Sequence, residues 1–96
     1  MKKLYELFQQ KKFDEIITIT KKYYLKKDFK NENIINFYGL ALQSKGKIKR
    51  SLEVFIKLNK KNKNNISYIN NLATSYYTLG DYKSAEFFFR KSISIN

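Results

Sequence analysis

Apolar positions recur every three or four residues through most of this chain, the spacing of one buried face on an α-helix. Leu4, Leu7 and Phe8 share such a face, with Lys3, Glu6 and Gln10 opposite. Ile16, Ile17, Thr20, Tyr23 and Tyr24 make a second stripe, and Ile34, Ile35, Tyr38 and Leu42 a third. Ile48, Leu52, Phe55, Ile56 and Leu58 make a fourth. Two further helical runs flank the break Leu79-Gly80-Asp81. Only Thr18-Ile19-Thr20 is β-branched enough to suit a strand, and the stripe around it overrides that local preference. Six helices are predicted, joined in pairs by turns at about residues 11–13, 45–47 and 79–81.

The last two runs repeat the two before them at a spacing of 34 residues. Ile69 falls on Ile35, Asn70 on Asn36, Gly80 on Gly46, Phe89 on Phe55 and Lys91 on Lys57. Small residues map as well, Ala73 onto Gly39 and Ala85 onto Ser51, where two helices crossing closely would need them. Gly46 and Gly80 suit helix ends that need positive φ. Asn64 or Asn65 can cap the fifth helix, and Asp81 the sixth.

A period of 34 with helix, glycine turn and helix resembles the tetratricopeptide repeat. Gly39, Leu42, Gly46, Ser51 and Phe55 carry the likeness, followed by Leu72, Ala73, Tyr76, Leu79, Gly80, Tyr82, Ala85 and Phe89. The departures are Ile35 and Ile69 in place of an early tryptophan, Ser92 in place of an alanine, and Lys63 about where a proline is common. The resemblance implies an all-α fold, three antiparallel helical hairpins stacked as a short right-handed α-solenoid. Its repeats would be 1–31, degenerate and short at its start, then 32–65 and 66–96.

The resemblance also implies a non-catalytic scaffold whose first helices line a groove for a peptide or partner helix. Turned away from the packing stripes there are Asn36, Phe37, Leu40 and Gln43, then Asn70, Asn71, Thr74 and Tyr77, with Tyr5 and Phe8 in the first unit. Asn offers donors and an acceptor to any peptide backbone. Some relatives clamp a C-terminal carboxylate between Asn and cationic residues. Asn71 matches one such place, but only Lys2 stands near as a cation, so no clamp is expected. In a stack of hairpins each second helix is covered by the next unit. Phe88 and Phe89, aligned with Val54 and Phe55, have no such neighbour in this sequence. Phe87, Phe88, Phe89 and Ile93 are therefore expected to form an interface, met by further repeats of a longer parent, by a second copy of the chain or by a separate partner.

Composition changes this picture little. Among 96 residues, 43% are hydrophobic, enough for one folded domain. Histidine, cysteine and proline are absent, which removes the commonest general base and the soft metal ligands. The eight acidic residues are scattered, and all three glycines fall at turns or packing places. No catalytic site, metal or cofactor is expected. The net charge of +12 is almost all lysine, with only two arginines, Arg50 and Arg90. Lys21, Lys22, Lys26, Lys27, Lys57, Lys60, Lys61 and Lys63 fall on second helices or the connections after them, a basic edge outside the groove. Nucleic-acid binding is expected to be weak and non-specific. The alternatives are a basic nucleic-acid-binding helical repeat, or the N-terminal interaction module of a longer enzyme such as a transferase. Met1-Lys2-Lys3 is followed by no apolar stretch, so no secretory signal is expected and a cytoplasmic location is the default.

Overall fold

The computed structural model describes residues 2–95 and is all-helical, with no strand among them. The helices are α1 (Lys2–Gln9), α2 (Phe13–Leu25), α3 (Glu32–Ser44), α4 (Ile48–Lys61), α5 (Ile66–Leu79) and α6 (Tyr82–Ile95). A 3-10 turn at Phe29–Asn31 leads into α3. Consecutive helices pack as three hairpins, and each hairpin packs on the next through α2 on α3 and α4 on α5. That is the arrangement of a tetratricopeptide-like helical solenoid. Thr18 and Thr20 sit inside α2, their hydroxyls donating back to the carbonyls of Asp14 (3.0 Å) and Ile16 (2.7 Å). These bonds satisfy the hydroxyls that would otherwise oppose a helix there.

The main core joins Ile35, Tyr38 and Leu42 of α3 to Val54, Phe55 and Leu58 of α4 and to Tyr68 and Leu72 of α5. A smaller core gathers Leu4, Leu7, Ile16 and Ala41 under the first hairpin. Gly39 of α3 lies directly against the Phe55 ring of α4. A β-carbon there would stand 2.8 Å from Cε1 and Cζ of Phe55, whose side chain is wholly buried. The glycine thus admits the ring at a cost in helix propensity of about 1 kcal/mol.

The four turns that follow α1, α2, α3 and α5 are built alike. Gly46 and Gly80 have φ of 81° and 87°, as their place after a helix predicts. In each turn the next N–H reaches back five residues, Lys47 to the Leu42 carbonyl and Asp81 to that of Tyr76. Lys11 and Lys27 adopt the same left-handed conformation, with φ of 58° and 54°. There Lys12 donates to Leu7 and Asp28 to Tyr23. This doubly bonded closure satisfies the last carbonyls of a helix whatever the residue. With a β-carbon present it costs roughly 1–2 kcal/mol.

Local signals are strongest in the third hairpin. The Asn65 side chain accepts from the Tyr68 N–H at 3.0 Å, and Asp81 accepts from both the N–H and the hydroxyl of Ser84. The N-cap positions of α2 and α4 hold Lys12 and Lys47, with no side-chain cap. Each good cap stabilises a helix by about 1 kcal/mol.

Candidate binding groove

The first helices of the three hairpins lie side by side. Phe8 of α1 meets Phe37 of α3 edge-on, with ring centroids 6.2 Å apart. The Asn71 side-chain amide of α5 donates to the side-chain Oδ1 of Asn36 in α3 over a long 3.4 Å. Gln43 bridges the same two helices, its amide nitrogen 3.0 Å from the Ser75 hydroxyl and 3.4 Å from the Asn71 carbonyl. Ser75 in turn stands 3.5 Å from the Ser51 hydroxyl of α4, which donates to the Ile48 carbonyl. A line of polar groups therefore runs through the junction of α3, α4 and α5 with its hydrogen bonds made. A half-satisfied line would be costly at this depth.

This geometry divides the groove residues read from the sequence. Asn36, Asn71 and Gln43 spend hydrogen bonds on one another, so they brace the face as well as form it. Phe37 and Leu40 are half-buried and pack partly into the two cores. Asn70 is half-buried too, with no side-chain hydrogen bond among the described residues. Thr74 is exposed, and Tyr77 is 59% exposed. At the other end Tyr5 is equally open and shares a hollow with Lys2, Gln9 and Phe37. Phe8 is half-buried against Phe13 and Phe37.

Tyr77 leads beyond α5. Its ring meets Tyr82 of α6 edge-on at 5.2 Å, and Tyr82, Phe89 and Ile93 follow at helical spacings of seven and four. All three are exposed, Ile93 most of all at 76%. An apolar stripe thus continues from the end of the first-helix face along α6.

The four residues expected at the C-terminal interface do not share one surface. Phe87 and Phe89 are two positions apart, roughly 200° around the helix, and so lie on opposite flanks of the stripe that α6 buries. Phe88 lies between them, half-buried and stacked on Tyr76 at 5.7 Å with the rings parallel to within 2°. Phe89 and Ile93 form one exposed flank, and Phe87 the other. By contrast Val54 and Phe55 in α4, where α5 covers them, are buried.

Elsewhere, Tyr68 of α5 donates to the Glu32 carboxylate of α3 at 2.9 Å. Burial first, and this bond second, push its phenol well above the ordinary range. One feature is invisible in the sequence stripes: a cavity between the ends of α2 and α4, floored by Tyr24, Leu25 and Phe29. Its residues are spread over more than one hairpin, so no local spacing marks it. Among the described residues no group of acids is placed to hold a metal, and no helix is long and apolar enough to cross a membrane.

No curated protein matches the chain. Residues 66–96, the hairpin with both side-chain caps and a left-handed glycine, match the family model of the tetratricopeptide repeat. That match covers one hairpin, and the six helices of the described residues, packed as successive hairpins, are consistent with a tetratricopeptide-like helical solenoid.

Proposed function

We propose that this chain is a protein-interaction scaffold that receives an extended peptide or a partner helix on the face shared by α1, α3 and α5. Tetratricopeptide repeats are in general protein-interaction modules without catalytic activity of their own. The observation that carries the finer reading is the pairing of braced amides with open ones. Asn36, Asn71 and Gln43 hold the face rigid, while Asn70, Thr74 and Tyr77 remain available beside them. A rigid polar surface with an exposed ring binds at low entropic cost. The units we assign are 1–31, 32–65 and 66–96, in keeping with the hairpin limits.

The apolar flank of α6 extends the same reading. Tyr82, Phe89 and Ile93 run on from Tyr77, so a partner seated on the face gains apolar area by reaching over them. A second copy of the chain is the other occupant this flank suits. Selection of peptides from a displayed library tests the proposal. Enriched peptides should lose affinity on the order of ten-fold against Thr74→Arg, which blocks the face without touching the core. Peptides that bind that variant and wild type equally would place recognition elsewhere.

A further inference from the structure

The cavity between α2 and α4, of about 530 Å³, is lined by no residue of α1, α3 or α5 and so lies apart from the groove. Its floor is apolar: Tyr24 and Phe29 are half-buried, and Leu25 is 65% exposed at the end of α2. Four lysines surround that floor: Lys27 from the turn after α2, and Lys57, Lys60 and Lys61 from the last turns of α4. No acidic residue lines it. Of the carboxylates adjacent in sequence, Asp28 is tied to the Asn31 amide at 3.0 Å, and Glu53 lies one helical turn before Lys57. The ion pairs among the described residues, Lys45 with Asp14 and Arg90 with Glu86, involve none of the four.

One rim cation is held in place. The Lys57 ammonium donates to the Tyr24 hydroxyl at 2.8 Å and stands 4.7 Å from that ring's centre. The bond to Tyr24 keeps Lys57 above its ordinary range, so it is charged at any physiological pH.

We propose that this cavity is a second docking site, for a segment of a partner protein that carries a large apolar side chain flanked by Asp or Glu. The apolar side chain would cover Leu25 and Phe29, and the carboxylates would meet the lysine rim. Charge complementarity and an uncovered apolar floor together define this occupant. A nucleobase fits less well. Tyr24 is already packed against Tyr38, with centroids 5.2 Å apart, and its hydroxyl is taken by Lys57. Base stacking needs a free ring face, and bidentate phosphate contacts need arginine, which the rim lacks.

The test titrates isotopically labelled protein with a short synthetic peptide, a Leu-Phe pair between runs of Glu. Parallel titrations use the same peptide with Ser-Ser at its centre, a single-stranded RNA of equal charge, and vesicles of anionic lipid. Saturable shifts centred on Leu25, Phe29 and Lys57 that need the Leu-Phe centre are expected. Lys60→Glu combined with Lys61→Glu should weaken that binding by at least about ten-fold, as should Leu25→Ser. Lys27→Gly should also weaken it while relieving a left-handed lysine, so a weaker complex of a more stable protein cannot be blamed on unfolding. Equal binding of the Ser-Ser peptide, or shifts spread over Lys45, Lys47 and Lys49, would overturn the proposal. So would RNA or vesicles that occupy the cavity more tightly than the peptide. The Thr74→Arg variant should bind this peptide normally, which separates the fate of this site from that of the groove.

Discussion

Replacing Gly39 with alanine sets two effects of known size against each other. In an open helix the change would stabilise by about 1 kcal/mol, since alanine loses less backbone freedom. Here the new methyl would stand 2.8 Å from two atoms of the Phe55 ring and 3.2 Å from Cγ1 of Val54. Ordinary carbon contacts begin near ~3.5 Å. The ring must therefore retreat by a substantial fraction of an ångström, and both neighbours are buried. Overpacking of this kind costs about 1–3 kcal/mol. Steric strain should win, with a net loss of about 1 kcal/mol and a fall in Tm of about 5 °C for a domain of this size. Urea unfolding followed by circular dichroism measures it. Phe55→Leu in the same chain should relieve part of the strain, so the double variant should be less damaged than the two single losses added together. Stabilisation by Gly39→Ala, or strict additivity with Phe55→Leu, would refute the close approach.

Two further substitutions probe the turns and the α3–α5 link. Lys11→Gly should stabilise the fold by about 0.5–1 kcal/mol in the same urea assay, because Lys11 has a φ of 58° that glycine adopts without penalty. The Tyr68 phenol is raised in the folded state, so the stability it contributes is complete below the unfolded phenol value of about 10 and is lost as pH rises above it toward the folded value. Unfolding between about pH 9 and 12 should therefore show a shallower decline in Tyr68→Phe than in wild type.

The parts of this fold that the sequence displays are those where one residue type has one conformational use. Gly46 and Gly80 mark left-handed turns, and Asn65 and Asp81 mark helix starts, because few other residues serve there. The first hairpin is harder to read for a physical reason. Its turn passes through Lys11, one residue out of register with the 34-residue period, and lysine gives no hint of a positive φ. Lys27 hides the turn after α2 in the same way.

Helical spacing places Phe87 and Phe89 on opposite flanks, although their adjacency in sequence groups them as one patch. The candidate groove is legible as a set of outward positions, but not as a bonded network. Whether Gln43 is free or spent depends on Ser75 and Asn71, which only the packing of α5 on α3 and α4 brings to it. The lysine-rimmed cavity belongs to the same class, since Tyr24 and Lys57 meet only because α2 and α4 end side by side.

The location of a bound peptide tests the scaffold reading most directly. A peptide enriched by selection against wild type would be added to labelled protein, and its contacts mapped by amide and side-chain shifts. The expected footprint covers Leu40, Asn70, Thr74 and Tyr77 and extends over Tyr82 and Phe89. A footprint that leaves the exposed side of α3 and α5 untouched, while the peptide still binds, would contradict the assignment of the groove.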